Sequence, residues 1–212
     1  EAMKKAKAQG VNILAYECQV EKDSIEITKE VPVVLEHESL YQMAEPFTNW
    51  YRKNKRELPW RDINDPYRIW ISEIMLQQTR VEAVKGYFER FIEALPDVKA
   101  LAEAEDELIL KLWEGLGYYS RVRNMKKAAI RIMEEHGGMV PADYETLCSL
   151  PGIGAYTAGA IASIAYGLPE PAVDGNVLRV MKRIAGSFDD ISKESVKKEL
   201  REELKVVMPT GR

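Results

Sequence analysis

The sequence predicts an all-α fold from about residue 39 to residue 212, preceded by a short β-containing segment. Three observations predict it. Apolar residues recur at helical spacing in one window after another from Ser39 on, the connections between those windows are short and carry Gly or Pro, and strand-like alternation is confined to the first 36 residues. At 212 residues, 46% hydrophobic and 30% charged, the chain is long enough for one large domain or one and a half. Its balance is that of an ordinary globular protein rather than a disordered one.

In order, residues 1–36 open with a short helical stretch ending at Gly10. Val11-Asn12-Ile13-Leu14-Ala15-Tyr16, the alternating Ser24-Ile25-Glu26-Ile27-Thr28 and Val31-Pro32-Val33-Val34-Leu35 follow. Short β-rich runs with Pro inside read as edge strands, and a few strands need a sheet partner, so this segment is expected to end a domain lying upstream. Ser39–Asn54 is then amphipathic, with Leu40, Met43, Phe47, Trp50 and Tyr51 on one side. Tyr67–Thr79 is very apolar, and Val81–Leu95 carries Val81, Val84, Phe88 and Phe91 at helical spacing. Glu105–Glu114, Ser120–His136 and Tyr144–Leu150 come next. Ala155–Tyr166 is rich in Ala, Gly and Ile, as a helix packed on all sides requires. Asn176–Ala185 and Ser192–Val207 close the set, the last with Val196, Leu200, Leu204 and Val207 in register.

Composition excludes several function classes. No apolar run approaches the roughly 20 residues of a membrane helix, so no membrane partner is expected. Cys18 and Cys148 alone cannot build a disulfide framework, a four-thiolate zinc site or an iron–sulfur cluster. With no signal peptide, a cytoplasmic location is expected. The net charge of −4 argues against a wholesale nucleic-acid coat and leaves room for a local basic face. The opening Glu1 and the closing Met208-Pro209-Thr210-Gly211-Arg212 lead us to expect a window cut from a longer protein.

Leu150-Pro151-Gly152-Ile153-Gly154 lies between two helical patterns. Pro ends the first helix, two glycines permit positive φ and close backbone approach, and the second helix starts at once with free N–H groups. Such a nest binds an anion, here a DNA phosphate; the plainer reading is an αα-turn. Arg121, Arg123, Lys126 and Lys127, then Arg179, Lys182 and Arg183, could extend it into a phosphate track, or each could lie on a solvated helix face.

Two acids stand in apolar surroundings. Glu73 has Ile69, Trp70, Ile71, Ile74, Met75 and Leu76 as neighbours, with Gln77 a turn further on its face. Burial there would favour the neutral carboxyl of a general acid, unless a backbone or Arg partner satisfies a core Glu. Asp174, in Ala172-Val173-Asp174-Gly175-Asn176-Val177, reads as an N-cap or as a carboxylate that stabilises a developing cation. Two carboxylates of unlike environment are the equipment for cleaving a glycosidic bond. Gln77-Gln78-Thr79 at a helix end can replace base-pairing partners. Tyr118, on the Gly115-Leu116-Gly117-Tyr118-Tyr119-Ser120-Arg121 loop, can wedge into a base stack. Capping polar residues and core aromatics are the alternatives.

Together these residues resemble the helix-hairpin-helix DNA glycosylases and, within them, the adenine DNA glycosylase family. The resemblance rests on Leu58-Pro59-Trp60-Arg61, the run from Trp70 to Thr79, the run from Trp113 to Arg121, the hairpin at 150–154, and Val173-Asp174-Gly175-Asn176-Val177, and it spans about residues 40–212. It implies a fold of two helical lobes with an adenine pocket between them, the second lobe truncated here. The implied reaction is removal of adenine mispaired with 8-oxoguanine or guanine in double-stranded DNA, by a monomer. Glu73 matches the catalytic Glu that protonates the adenine ring and then helps activate water, and Asp174 matches the Asp that stabilises the sugar cation. Gln78 and Tyr118 match residues inserted into the duplex, and Arg61 falls near the adenine pocket. Gln77, Thr79, Leu150, Gly152, Gly154, Tyr156 and Asn176 complete the expected DNA- and substrate-binding set.

Related bifunctional glycosylase/lyases carry a Schiff-base Lys where this sequence has Tyr156, and a phenol forms no imine, so a monofunctional enzyme is expected. The family carries a [4Fe–4S] cluster on four Cys further along the chain, whose ligands are expected beyond residue 212. A C-terminal domain that helps recognise 8-oxoguanine follows it in the family. Residues 1–36 resemble instead the C-terminal tail of the sugar fermentation stimulation protein family, which makes the chain the expected junction of a fusion. Two other functions stay open: a fragment that binds DNA without activity, and a pyrimidine-lesion glycosylase/lyase.

Overall fold

The computed structural model describes residues 15–21, 24–31 and 37–208, with side chains from Gln42 to Met208. The helical stretch expected to end at Gly10, the run Val11–Leu14, residues 32–36 and the closing turn after Met208 lie outside the described residues. β1 (Ala15–Glu21) and β2 (Ser24–Val31) pair antiparallel, from Ala15 opposite Val31 to Glu21 opposite Ser24, with an irregularity between Glu17 and Cys18. The strand expected around Ser24–Thr28 lies within β2.

Among the described residues, the elements after β2 are helices: α1 (His37–Asn54), α2 (Pro66–Leu76), α3 (Val81–Ala94), α4 (Val98–Glu103), α5 (Asp106–Trp113), α6 (Ser120–His136), α7 (Tyr144–Ser149), α8 (Ala155–Ala160), α9 (Gly175–Ile184) and α10 (Glu194–Val207). The chain divides into two compact units, one of residues 55–172, the other of residues up to Asn54 together with Val173–Val207.

In the first unit α2 is the central helix, packed on α3 and α8, while α4 packs on α6 and α7 on α8. Trp70, Phe91 and Trp113 are fully buried, with Tyr67 edge-on to Trp70 at 6.2 Å and Phe91 edge-on to Trp113 at 6.1 Å. Each such burial contributes about 1.5–3 kcal/mol, and edge-to-face rings add a little more. The Tyr67 hydroxyl donates to the Leu95 carbonyl at 2.8 Å, and burial pushes its pKa up. In the second unit α10 packs on α1, and Leu178, Met181, Val196 and Leu200 form a small core. Trp60, Trp70 and Trp113 are buried in the first unit, whereas Trp50, in the second, is 64% exposed.

Where the structure departs from the sequence pattern, local causes are visible. The helix expected over Tyr67–Thr79 stops at Leu76, and Gln77–Thr79 form a turn. The helix expected over Ala155–Tyr166 is α8 followed by a π-helical turn, Ile161–Ala165, inside which the Ser163 hydroxyl donates to the Gly159 carbonyl at 2.7 Å. Such a hydroxyl competes for a helical carbonyl, and π turns of this kind occur mostly inside α-helices.

Asp65, Asp97, Asp143 and Asp174 each cap a helix by accepting from its first free N–H groups. At Asp143 the Thr146 hydroxyl and N–H both donate to one carboxylate oxygen, at 2.7 Å each, and hold its pKa below the usual carboxylate range. A lowered folded-state pKa gives stability that is fully present above the unfolded value and is lost as pH falls through the folded one. Asp143→Asn keeps the acceptor and loses the titration. Its melting temperature is therefore expected to lie below that of the unsubstituted chain at pH 7, and the two are expected to converge as pH falls below about 4, where the carboxylate is protonated. Thermal melts from pH 2 to 7 check this; parallel acid limbs would contradict it.

Candidate functional site

Glu73 lies near the C-terminal end of α2. The helix starts with Pro66 behind the Asp65 cap, and its residues Tyr67, Ile69, Trp70, Ile71, Ser72, Ile74 and Met75 are buried. Glu73 itself is half-buried, so one face of an otherwise apolar helix offers a carboxyl at the boundary between core and solvent. A carboxyl so placed can exchange a proton with a group that reaches that face.

Gln77, Gln78 and Thr79 form the turn that ends α2. Gln78 is exposed and left-handed, at φ 56°, and the Thr79 N–H donates to the Leu76 carbonyl at 3.3 Å. The loop from Gly115 to Tyr118 is similarly unusual. Gly115, Gly117 and Tyr118 have φ of 98°, 69° and 47°. Tyr118 is 63% exposed. A Cβ at Gly115 would meet the Tyr87 hydroxyl at 2.3 Å, which with its positive φ reserves this position for glycine. Trp113 Nε1 donates to the Gly117 carbonyl at 3.0 Å and anchors the loop from below.

One side chain joins the two turns. Arg121 Nη1 donates to the carbonyls of Ile74, Met75 and Gln77 at 2.9, 3.2 and 2.6 Å. Its Nη2 donates to those of Leu116 and Gly117 at 3.0 and 3.2 Å. The guanidinium lies 5.2 Å from the centre of the Trp113 ring and 5.5 Å from that of Tyr118. A cation on the last carbonyls of a helix satisfies orphan acceptors and complements the negative end of the helix dipole. Burial draws the Arg121 guanidinium below its ordinary basicity.

Arg121 therefore faces inward, a correction to the basic track expected from the sequence. Lys126 pairs with Asp106, Lys182 pairs with Asp189 at 3.0 Å, and Arg179 donates to Asn176 at 2.5 Å. Arg123, Lys127 and Arg183 are exposed. The helical pattern held the signal for Arg121: it shares the i, i+4, i+7, i+11 stripe of α6 with buried Met125, Ala128 and Ile132. Sequence reasoning also missed a recess lined by Leu110, Lys111, Glu114, Tyr119 and Arg123.

The hairpin at 150–154 joins α7 to α8. Leu150 is buried at 2% exposure, and Gly152 takes φ 78°. A Cβ at Gly152 would lie 2.8 Å from that of Asn124, so the turn sits close against α6. Arg131, also on α6, donates to the Ser149 carbonyl at 2.8 Å and secures the end of α7. Gly154 corrects the expectation of two positive-φ glycines: at φ −92° and ψ 176° its backbone is extended. A Cβ there would meet nothing within 4 Å, and no side chain caps α8, which leaves the helix start open to a ligand. Tyr156 lies on the first turn of α8 and is exposed; Arg61 is half-buried after Trp60.

Asp174 and Asn176 belong to the other unit. Asp174 Oδ1 accepts from the N–H groups of Asn176 and Val177 at 2.9 and 2.8 Å, and its Oδ2 accepts from the Asn176 side chain at 2.8 Å. The capping geometry expected as the plainer reading is present, and both carboxylate oxygens are oriented. Cys148 is half-buried and in no disulfide, and no group of three or more His, Cys, Asp or Glu side chains among the described residues could hold a metal ion. No helix among them is long and apolar enough to cross a membrane.

Residues 71–206 match the model of the HhH-GPD superfamily of base excision DNA repair proteins. The chain is 38% identical over 170 residues to the adenine DNA glycosylase of Buchnera aphidicola (subsp. Acyrthosiphon pisum), covering 80% of this chain and 49% of that protein. It is 45% identical over 161 residues to the adenine DNA glycosylase of Homo sapiens, covering 72% of this chain and 30% of that protein. It thus spans half or less of the length of these relatives. Among solved structures, a thermostable thymine-DNA glycosylase superposes with a TM-score of 0.73 at 26% identity, covering 83% of this chain and 82% of that one. Endonuclease III in a non-covalent DNA complex superposes at 0.68 and 24% identity, covering 84% and 80%, a likeness of fold.

Proposed function

Since the chain belongs to the HhH-GPD superfamily of base excision DNA repair proteins, we propose that it hydrolyses the N-glycosidic bond of adenine mispaired with 8-oxoguanine or guanine in duplex DNA. The observation that carries this reading is the end of α2. There a half-buried carboxyl is followed four and five residues on by two amide side chains, beside a loop presenting an exposed aromatic ring. Identity to proteins named adenine DNA glycosylases supports adenine as the base.

The target bond is unreachable inside a duplex, so the adenine must leave the stack. Gln78 and Tyr118 occupy the space it leaves, and Arg61 lines the pocket that receives it. Glu73 donates a proton to the adenine ring, which makes the base a better leaving group. As the C1′–N bond breaks, the sugar becomes an oxocarbenium-like cation, which the Asp174 carboxylate stabilises electrostatically. Glu73, now ionised, takes a proton from the water that adds to C1′, so the acid is regenerated. Tyr156 supplies no amine, and hydrolysis ends at the abasic site.

The open start of α8 and the Gly152 turn form the phosphate grip. Gly154→Ala is expected to leave the melting temperature unchanged, weaken duplex binding, and reduce the slope of log K against log salt by about one, as for one lost phosphate contact. Fluorescence anisotropy titrations at several salt concentrations measure it; unchanged affinity would remove the hairpin from the interface. The [4Fe–4S] cluster implied by the resemblance needs four thiolates, and the chain's own two cysteines cannot supply them, so no step above depends on it. Residues 1–36 lie outside the matched region, and their origin in a fused upstream domain remains a proposal that the full gene sequence tests.

Single-turnover release of adenine from A:8-oxoguanine and A:G duplexes tests the reading, with borohydride trapping alongside. Binding without base release would leave a DNA-binding fragment. Release of oxidised pyrimidines with a covalent trapped adduct would make it a glycosylase/lyase.

A further inference from the structure

Three non-glycine residues of the first unit, Asp62, Gln78 and Tyr118, hold left-handed backbone, and the last two stand in separate turns 40 positions apart in sequence. Such conformations cost about 1–3 kcal/mol each and persist only where the surroundings over-determine them. At Gln78 and Tyr118 the surroundings share one element. The five carbonyls that Arg121 engages belong to the end of α2 that leads into Gln78 and to the loop that ends in Tyr118. Its guanidinium also lies within cation–π distance of both the buried Trp113 ring and the exposed Tyr118 ring, so the ring that faces solvent touches the same group that fixes the backbone. Both nitrogens of the fork are used, one for each turn, which a lysine's single ammonium cannot reproduce with the same planar geometry.

We infer that Arg121 is a positioning residue that couples the Gln78 turn to the Tyr118 loop, so that the two side chains enter the base stack as one rigid unit. The inference rests on the proposed reading of these two residues and goes beyond it by naming what makes their insertion concerted. Arg121 touches no reacting atom in this account. Losing it would slow extrusion of the base and spare the hairpin's hold on phosphate.

The test uses duplexes with 2-aminopurine in place of adenine opposite 8-oxoguanine, whose fluorescence rises on unstacking whether or not the base is released. The unsubstituted chain is expected to raise the signal. Arg121→Lys is expected to lose at least three-quarters of the rise and to release adenine at least 10-fold more slowly from a paired duplex. From a bulged, already unstacked adenine its rate is expected to stay within about threefold. Arg121→Ala is expected to regain unstacking when guanidinium is added at millimolar concentration, a rescue that general loosening of the fold does not give. Gln78→Ala and Tyr118→Ala, both at exposed side chains, form a cycle independent of any change at Arg121: the double variant is expected to lose little more than the worse single. Equal losses on paired and bulged adenine, full unstacking by Arg121→Lys, or strictly additive losses in the cycle would each overturn the coupling. Unstacking by the unsubstituted chain without adenine release overturns the glycosylase reading alone, and no unstacking at all overturns both.

Discussion

Glu73→Gln is expected to slow adenine release by about 10²–10⁴-fold, the usual span for loss of a general acid, while binding of the mismatched duplex stays within a few-fold. The glutamine is isosteric and sits at the same half-buried position on α2, where the core residues on either side are unaffected. Its amide cannot give up a proton to the base or accept one from water. Asp174→Asn gives the informative contrast. Asparagine keeps an oxygen for the N–H groups of Asn176 and Val177, so the cap on α9 survives and the melting temperature is expected to hold. The negative charge is lost, and release is expected to fall by about 10²–10³-fold. Asp174→Ala removes both, and is expected to lose activity together with about 1 kcal/mol of stability. Single-turnover kinetics and thermal melts on the three variants separate chemistry from capping. A fully active Asp174→Asn would reduce Asp174 to a helix cap like Asp65, Asp97 and Asp143.

Gly159→Ala is expected to be a strongly damaging single-methyl change in the first unit. A Cβ at Gly159 would lie 2.6 Å from the Pro171 carbonyl oxygen and 3.2 Å from the Ala172 Cα, both backbone atoms. No rotamer change relieves that contact, so either α8 or the 171–172 segment must move. Overpacking of this kind costs about 1–3 kcal/mol. At about 2–4 °C per kcal/mol for a chain of this size, the melting temperature is expected to drop by about 2–12 °C. The displaced segment runs directly into Val173 and Asp174, so adenine release is expected to fall further than the stability loss explains. Melting and single-turnover assays below the variant's melting temperature check both parts. An unchanged melting temperature would mean that the two segments separate without strain.

Much of this architecture was legible in the sequence because long helices advertise themselves. Ser120–His136 reads at its observed ends, since the buried stripe from Val122 to Ile132 repeats cleanly and Gly137 supplies the left-handed stop. The six-residue α4 did not register, because Val98 and Leu101 alone make no periodicity. The sequence pattern places the end of α2 three residues too late for a different reason. Nothing between Leu76 and Thr79 is a local stop signal, and the helix ends where Arg121, 44 to 47 residues away in sequence, takes its last carbonyls. The π-helical turn at Ile161–Ala165 was likewise silent, because Ala, Ser and Ile suit either winding. For the site, residue types and local capping geometry could be anticipated at Asp174 and Gly152. The inward turn of Arg121 and the extended backbone of Gly154 depend on tertiary neighbours and could not.

The placement of the four tryptophans has an optical consequence. Trp60, Trp70 and Trp113 are buried in one unit and are expected to emit in the blue, whereas Trp50 on α1 is open to solvent and is expected to emit in the red and to be quenched by acrylamide. The protein thus carries an intrinsic two-colour label. Acrylamide is expected to quench Trp50 first, and on heating the red shift of the remaining band follows exposure of the other three, hence unfolding of the unit that holds them. Whether that shift coincides with the loss of helical circular dichroism, to which both units contribute, measures how far the units unfold as one cooperative body.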